Sequence, residues 1–481
     1  QEYVHNGFKV GPNFREPPAD VADSWIDSKD PHIAPNPIEH DDWWNIFRDP
    51  DLDRLIDSAY RQNLDLKTAA TRVLEARAQR NIAAGNLFPQ SQTAVGDYAH
   101  AQLSKNLNVF GNPLATLPTN LNVWATGFNA SWEFDFWGRL RRGIESKDAD
   151  LSASVEDYHD ALVTLLADVA TSYVQIRTGQ QRLRFARHNM KLQQGTLALT
   201  EARLKAGTAT SLDVEQARTN LAQTEASIPP LAIGIRQAND RLCLLLGLPP
   251  QDLTRSFQDG PIPAAPPQVA VGIPAELLER RPDVRRAIRQ AAAQSAQIGI
   301  AQADFYPTFG VSGFIGYAAD DIRVLFEQNS FLGFILPNFQ WKILNYGRIA
   351  NNVKVQDARF AQRVLQYQKT VLNAGRETED ALVGFVESQV QAKSLERGVQ
   401  AAERSVELVL AQYKDGRVDF NRVFTTQGQL LAQQDQLAAA QGNIALNLIA
   451  VYRALGGGWQ AFESGQPCAR PRLLPPIAAR D

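Results

Sequence analysis

An internal repeat constrains the fold of this chain more than any other feature of its sequence. Three pairs of similar segments share one constant offset of 209 residues, with no gap between the first pair and the last. The pairs are "FWGRLRR" (136–142) with "NYGRIAN" (345–351), "RLKAGTATSLDV" (203–214) with "QYKDGRVDFNRV" (412–423), and "LLLG" (244–247) with "RALG" (453–456). A constant offset over this distance indicates two copies of one structural unit.

A second block extends the repeat toward the N-terminus. Residues 63–90 resemble residues 281–308 at an offset of 218, so that Phe88-Pro89 corresponds to Tyr306-Pro307. The offset falls by nine between the blocks, which predicts a longer loop after Pro89 in the first copy. Each copy is predicted to contain a helix, a β hairpin, a long helix, a turn and another helix.

The long helices are the most unusual predicted elements. Residues 138–205 and 347–414 contain no proline and are rich in good helix formers. At 1.5 Å per residue each helix would be roughly 100 Å long, which requires lateral partners such as those of a coiled coil. A solvated coiled-coil rod and a wall wetted on both faces, as in a tube, are both compatible with their mixed polarity.

Each long helix is followed by a glycine turn and a second helix, predicted over 211–247 and 419–456. The turn glycines, Gly207 and Gly416, suit a left-handed position after a helix end. Ser211 in the first copy and Asp419 in the second are the predicted caps of the following helices. Each copy therefore predicts a helical hairpin.

The strands between the helical blocks alternate strictly. From Trp124 to Phe136, large apolar residues dominate the even positions and small or polar residues the odd ones. Segments 308–317 and 330–341 add strands in the second copy, which gives about four per chain. Such a strand ordinarily packs one face on a core, but here an aromatic band facing lipid and a polar face lining water fit better. Four strands cannot close a barrel, so several chains in a ring are predicted.

Composition excludes several classes of function. The net charge is −3, which gives no basic face for nucleic acid. There is no zinc or redox spacing of Cys and His, no P-loop and no GxSxG motif, so neither an enzyme nor a cofactor is predicted. Glu133 and Asp135 share a strand face as a catalytic pair would, but lining a pore is the favoured interpretation. The alternative function is a periplasmic coiled-coil structural or adaptor protein.

Several motifs resemble one family along almost the whole chain. They are "KVGPNFREP" (9–17), "WWNIFRDPDLDRLIDSAYRQNLDLKTA" (43–69), "WEFDFWGRLRR" (132–142), "ERRPDVRRA" (279–287) and "YKDG" (413–416). They are similar to the outer-membrane efflux proteins of Gram-negative bacteria (TolC-like), and most of all to the lipoprotein-type, NodT/OprM-like branch. That branch usually has a lipidated cysteine shortly before "VGPN", and residues 1–10 contain none.

The resemblance implies an α+β membrane protein and a particular assembly. Three copies would form one twelve-stranded transmembrane barrel, four strands from each chain, continued by a long α-helical barrel in the periplasm. The protein would be a passive exit duct in the outer membrane, exporting small molecules such as drugs or metal ions. Its partners would be outer-membrane lipid, a periplasmic adaptor and an inner-membrane transporter of RND type, with no nucleic acid.

The repeat and the resemblance together predict five parts of the chain. They are an N-terminal equatorial segment (1–50), repeat 1 (51–247), a Pro-rich linker (248–273), repeat 2 (274–456) and a C-terminal equatorial segment (457–481).

The resemblance also implies which residues carry the function. The gate would lie at the hairpin tips, where family members often have acids six and nine residues after the turn glycine; the first copy has Asp213 and Gln216 there, and the second has Arg422 and Thr425. The predicted gate set is Gly207, Asp213, Gln216, Asp415, Gly416, Arg417, Asp419, Arg422 and Thr425. Asp213, Asp419 and Arg422 would close the tip through ion pairs; the alternative is that they are solvated turn charges. The predicted lumen acids are Glu133 and Asp135, and the predicted lipid-interface aromatics are Trp132, Phe134, Phe136, Trp137 and Tyr346.

Overall fold

The computed structural model describes residues 3, 6–34, 42–102, 104, 108–109, 112–113, 120–257 and 260–463. Within these residues the chain is mostly helical. The α-helices are α1 (Pro50–Gln62), α2 (Leu64–Gly85), α3 (Arg139–Lys205), α4 (Ser211–Leu245), α5 (Leu277–Arg280), α6 (Pro282–Ala303), α7 (Arg348–Lys414), α8 (Phe420–Ala454) and α9 (Gln460–Glu463). Short 3-10 turns lie at Trp43–Phe47, Leu253–Ser256, Pro274–Glu276, Ile322–Val324 and Gln328–Ser330.

The strands form one main sheet and two minor pairs. They are β1 (Ile33–Ala34), β2 (Ser91–Gln102), β3 (Asn108–Val109), β4 (Asn112–Pro113), β5 (Asn120–Phe134), β6 (Val269–Ala270), β7 (Thr308–Ala319) and β8 (Phe331–Gln340). β1 pairs with β6 in parallel, and β3 pairs with β4. The main sheet is antiparallel throughout, in the order β2-β5-β7-β8. The four strands predicted per chain are therefore confirmed.

The two long helices confirm the repeat. Each has 67 residues, and each begins one residue after a glycine that the repeat aligns. Gly138 and Gly347 both have a φ of +79°, a left-handed value that glycine adopts without strain. The same backbone turn therefore leads from strand to helix in both copies.

The second helices of the two hairpins are shorter than the long ones and equal to each other. α4 and α8 each have 35 residues. The buried residues at the start of α8 are spaced by three and four, as in a coiled-coil seam. They are Phe420, Val423, Gln427, Leu430, Gln434 and Leu437. A coiled-coil packing of the hairpins is thus present, with two glutamines in the seam.

The sheet separates two faces. In β5 one face carries the aromatic residues Trp124, Phe128, Trp132 and Phe134. The register of β7 brings Phe309 opposite Phe134, so the aromatic face continues across the central strands. The opposite face is mixed, because it holds serines and asparagines but also Phe314 and Phe334, whose ring centroids lie 6.0 Å apart.

The chain divides into two compact units, each built from both copies. Unit 1 contains residues 1–18, 72–154 and 287–367 and holds the main sheet. Unit 2 contains residues 19–71, 155–286 and 368–481 and holds the hairpin turns. Its buried side chains include Leu166, Val169, Tyr173, Leu382 and Phe385.

Of the two cysteines, Cys243 is fully buried in α4, whereas Cys468 lies outside the described residues. Of the predicted C-terminal segment, residues 464–481 also lie outside them. Among the described helices, none combines the length and apolar character needed to cross a membrane.

Candidate functional site

The two hairpin turns have the same backbone structure. Gly207 and Gly416 adopt φ values of +68° and +73°. In each turn the residue after the glycine donates its N–H to the carbonyl five residues earlier: Thr208 to Arg203 at 2.8 Å, and Arg417 to Gln412 at 2.9 Å. This is the Schellman arrangement that ends a helix at a left-handed glycine, so the predicted left-handed position of both glycines at a helix end is confirmed.

The helix after each turn is capped differently in the two copies. In the second copy Asp419 is the N-cap, as predicted, and its carboxylate accepts from the Arg422 N–H at 3.2 Å. In the first copy the predicted cap, Ser211, is wrong: the cap is Thr210, whose hydroxyl accepts from the Asp213 N–H while the Asp213 carboxylate accepts from the Thr210 N–H. The backbone of Thr210 is extended, as a cap requires, whereas Ser211 already belongs to the helix.

Both turns line one shallow cavity of about 580 Å³. Five of the predicted gate residues contribute to it, namely Gly207, Asp213, Gly416, Arg417 and Asp419. Its floor is a contact between the copies, in which the Arg203 guanidinium lies 4.6 Å from the centre of the Tyr413 ring and donates to the Tyr413 carbonyl. Cation–π contact and hydrogen bond together join the last turn of α3 to that of α7.

The remaining predicted gate residues lie around this cavity. Arg422 and Thr425 line a neighbouring groove of about 400 Å³ on α7 and α8. Asp415 lies 3.8 Å from Arg417, and both side chains are well exposed. Gln216 is half-buried on α4 and lines neither cavity. Within one protomer, then, the carboxylates of Asp213 and Asp419 act as helix caps.

Polar contacts between the hairpins continue away from the turns, and sequence reasoning missed them. Arg182 of α3 and Asp435 of α8 form a two-point ion pair at 2.6 and 2.8 Å, and the hydrogen bond to Asp435 is the main cause that raises the pKa of Arg182. Two buried amides lie nearby: Gln434 accepts from Asn189 at 2.7 Å, and Gln427 donates to the Thr196 hydroxyl at 2.9 Å. Glutamines at seam positions 427 and 434 are the sequence signal for these layers.

The strand-to-helix junction of the first copy is heavily hydrogen-bonded. Glu133 receives two hydrogen bonds of 2.8 Å from Arg139. Asp135 accepts from the backbone N–H groups of Leu140 and Arg141, at 3.0 and 2.9 Å, and from the Arg141 side chain. Both predicted lumen acids therefore contact the first turn of α3, where a carboxylate stabilises the helix N-terminus.

The N-terminal segment covers this junction. Arg142 is fully buried and donates to the carbonyls of Val10 and Gly11 and to the Asn13 side chain, at 3.1, 2.8 and 3.0 Å. Arg141 donates to the carbonyls of residues 7 and 8. We call this set, residues 7–13 held by Arg141 and Arg142, the N-terminal clamp.

The predicted interface aromatics divide between the two junctions. Trp132, Phe134 and Phe136 form a row whose neighbouring ring centroids are 4.7 and 6.2 Å apart. Trp137 stacks on Tyr306 at 4.5 Å and donates its indole N–H to the Pro307 carbonyl at 2.8 Å. Tyr346, which the repeat aligns with Trp137, is 91% exposed and has a φ of +48°.

One hydrogen bond is the same in both junctions. The Trp132 indole donates to the Leu87 carbonyl at 3.0 Å, and the Trp341 indole donates to the Phe305 carbonyl at 2.9 Å. The repeat aligns both donors and both acceptors, so the two copies agree at the level of single atoms.

Comparison with known proteins agrees with this architecture. The profile of the outer membrane efflux protein family matches residues 55–248 and 273–457. The chain belongs to the outer membrane efflux protein family. The pyoverdine export outer membrane protein OpmQ of Pseudomonas putida is 31% identical over 425 residues, which cover 87% of this chain and 88% of OpmQ. Nodulation protein T of Rhizobium leguminosarum is 31% identical, with 88% of this chain and 86% of that protein covered.

Solved structures show the same fold. The outer-membrane channel OprN superposes with a TM-score of 0.87 at 30% identity, over 94% of this chain and 99% of OprN. The predicted fold class, that of the TolC-like channels, is thereby confirmed. The chain is an outer-membrane efflux channel that extends into the periplasm, and its relatives are channels and transport proteins. In the described parts of the chain, no group of three His, Cys, Asp or Glu side chains is arranged to hold a metal ion.

Proposed function

We propose that three copies of the chain form one exit duct, with β2, β5, β7 and β8 of each copy contributing to a twelve-stranded barrel. The described sheet supports this, because its outer strands each have one unpaired edge. An open edge on an apolar sheet invites pairing with a further strand, and closure is the arrangement that removes both edges.

The aromatic face of the sheet would contact lipid, and the mixed face would line the lumen. In that orientation Trp132, Phe134 and Phe136 form part of the lipid-facing band, and Trp137 and Tyr346 lie at its periplasmic border. Glu133 and Asp135 then lie at the periplasmic mouth of the lumen, where Arg139 and Arg141 largely offset their charge. The 1–50, 248–273 and 457–481 segments would form an equatorial belt around the two repeats.

The hairpin turns would form the gate of the duct. The observation that carries this proposal is the shared cavity, in which exposed charges from both turns lie together while the backbone is fixed by left-handed glycines. Asp213 and Asp419 cap their own helices, and Arg417 lies 3.8 Å from Asp415, so Arg422 is the predicted gate cation available to a neighbouring subunit. Exposed ion pairs contribute only about 0–1 kcal/mol each, and a protein docking at the tip could therefore open the gate.

The partners would be a periplasmic adaptor and an inner-membrane transporter of RND type, with the duct itself passive. Names of relatives support small solutes as cargo: OpmQ is a pyoverdine export protein, and CusC of Escherichia coli, which is 29% identical, is a cation efflux system protein.

Conductance of the purified channel in planar bilayers tests the gate. We expect Arg422→Gln to raise the current at low voltage up to about fivefold, the change in equilibrium that corresponds to one exposed ion pair. Arg404→Gln is the matched control, since it removes the same charge from an exposed position of α7 further from the turn. Equal currents from both variants and the unmodified channel would remove Arg422 from the gate. Asp213→Ala is a poorer test, because it also breaks the cap of α4.

A further inference from the structure

The internal repeat specifies a contact that a single chain cannot make. In the described sheet, the second strand of copy 1 (β5) pairs with the first strand of copy 2 (β7). Beside this ladder, Trp137 of copy 1 stacks on Tyr306 and donates to the Pro307 carbonyl of copy 2. Copy 1 thus docks on copy 2 through this ladder and through aromatic contacts, of which the stacking of Trp137 on Tyr306 is one.

The equivalent surfaces beside the two outer strands, β8 and β2, are exposed in the described part of the chain. Tyr346 corresponds to Trp137, and Phe88-Pro89 corresponds to Tyr306-Pro307. Tyr346 is 91% exposed and Phe88 is 69% exposed, whereas Tyr306 is 41% exposed. The outer edges of β8 and β2, which correspond to the paired edges of β5 and β7, have no partner in the described sheet.

The two strand-to-helix junctions share the hydrogen bond and the glycine conformation on which this correspondence depends. The hydrogen bonds of Trp132 to Leu87 and of Trp341 to Phe305 are equivalent under the repeat and differ by 0.1 Å in the distances 3.0 and 2.9 Å. The left-handed glycines that follow have the same φ. The indole contact before the junction aromatic and the glycine after it are therefore equivalent in the two copies, although Tyr346 itself has a positive φ and Trp137 does not.

We propose that Tyr346 docks on Phe88 and Pro89 of the partner subunit, in the place that Trp137 occupies on Tyr306 and Pro307 within the chain. The occupant of the bare junction is thus a second copy of this chain. The phenol hydroxyl, which replaces the indole N–H, can donate to the carbonyl of Pro89 of the partner subunit. This inference rests on the trimeric duct proposed above.

The same correspondence between the repeats fixes the register in which β8 of one subunit would pair with β2 of the partner subunit. Ser131 of β5 corresponds to Gln340 of β8 at the offset of 209, so their hairpin partners Ser91 and Thr308 also correspond. The offset for the first strands is therefore 217 rather than 218, because copy 1 has one additional residue, Gln90, before β2.

The residue pairs between subunits follow when these two offsets, 209 and 217, are applied to the ladder of β5 with β7. Ala130 lies opposite Gly313, and Phe128 lies opposite Ile315. The equivalent pairs are Phe339 with Gly96 of the partner subunit, and Pro337 with Tyr98 of the partner subunit. Every pair has both members on the aromatic face, as a continuous sheet requires. Phe339 is 71% exposed in the protomer, and a glycine opposite leaves space for its ring.

Chemical cross-linking tests the aromatic contact. In a Cys468→Ser background, where the remaining Cys243 is buried, we expect Phe88→Cys with Tyr346→Cys to give covalent dimers and trimers with a short bis-maleimide. Each single variant gives only monomer on the denaturing gel. The matched control is Phe88→Cys with Phe326→Cys, since Phe326 is 72% exposed but lies beyond the other end of β7.

Disulfide formation tests the register. Directly opposite residues in a sheet have Cβ atoms about 4.5–5.5 Å apart, within reach of a disulfide, whereas diagonal neighbours are about 7–8 Å apart. Phe339→Cys with Gly96→Cys is expected to oxidise to linked chains, and Phe339→Cys with Tyr98→Cys is not. A Cβ at position 96 meets no atom of its own chain closer than 4.0 Å, so the substitution fits.

The mass of the same detergent-solubilised samples, measured under native conditions, distinguishes a failure of the proposed contact from a failure of the trimeric duct. A trimer in which the control pairs link as well as the test pairs, or in which the test pairs fail to link, would overturn the proposed contact and leave the duct intact. A monomer throughout would contradict the trimeric duct itself.

Discussion

The two strand-to-helix junctions come from one repeated unit, yet within the described residues only the first is covered by another segment of its own chain. In the first junction Asp135 caps α3, Glu133 pairs with Arg139, and an N-terminal clamp buries Arg142. In the second, Leu344 and Asn351 occupy the places of Asp135 and Arg142, and both are exposed. The backbone of the two junctions is nevertheless the same at the glycine.

This difference teaches that the repeat conserves the turn and not its surroundings. A left-handed glycine and an indole hydrogen bond are enough to guide a strand into a helix in both copies. The additional arginines and acids of copy 1 fasten the N-terminal segment to that turn. The bare aromatic surface of copy 2 is then left for contact with another molecule.

The largest expected difference concerns the clamp. Arg142→Ala removes a buried guanidinium together with its hydrogen bonds to the carbonyls of Val10 and Gly11, so we expect a loss of about 3–5 kcal/mol in the free energy of unfolding. Asn351→Ala, at the equivalent exposed position, is expected to change it by no more than about 0.5 kcal/mol. Urea unfolding in detergent, followed by circular dichroism, measures both. Similar midpoints for the two variants would mean that the clamp adds nothing to stability.

An intermediate difference is expected at the glycines. Alanine in a left-handed conformation costs about 1–2 kcal/mol, and this applies equally to Gly138→Ala and Gly347→Ala. At Gly138 the new Cβ would also lie 2.8 Å from the Lys9 Cα, whereas at Gly347 its nearest atom is the Asn351 side chain at 3.5 Å. Overpacking adds about 1–3 kcal/mol to the first variant alone. The same urea-unfolding experiment shows which of the two variants loses more free energy of unfolding. A larger loss for Gly347→Ala would show that the N-terminal clamp moves away from a side chain at position 138 at little cost.

The smallest expected difference concerns the shared hydrogen bond. Trp132→Phe and Trp341→Phe each remove one indole N–H from a backbone carbonyl, at a cost of about 1 kcal/mol. Because the bonds are equivalent, we expect the two losses to agree within about 0.5 kcal/mol. Thermal unfolding of the two variants side by side measures this. A clear inequality would indicate that the junctions differ in more than their surroundings.

Much of the fold could be predicted because each helix or strand assigned in one copy could be compared with the aligned segment of the other copy. The long helices were predicted to begin at 138 and 347, and they begin one residue later. The alternation from Trp124 to Phe136 also predicted a strand, although the strand ends at Phe134 so that Asp135 can cap α3. The predicted N-cap of α4, Ser211, was wrong because Thr210 and Ser211 are adjacent and both residue types suit an N-cap. Only the backbone angles distinguish them.

Sequence analysis missed other features. Two partners of Arg142 are the backbone carbonyls of residues 10 and 11, which any amino acid could supply at those positions. The layers of Asn189 with Gln434 and of Thr196 with Gln427 interrupt the apolar periodicity on which the helix prediction relies. Their detection requires that the two hairpins be placed side by side, which periodicity within one helix does not provide. The gate residues and the division into five parts stay predictions.

The order of strands in the sheet also sets an order of events during folding. Each hairpin joins neighbouring strands, but the central ladder pairs Trp124 with Ala319, which is made much later. Closing so long a loop is slow, since its entropic cost precedes any contact that offsets it. The edge of β5 and its aromatic side chains therefore stay unpaired until the second copy docks on them, and during that interval the edge is open to non-native strand pairing.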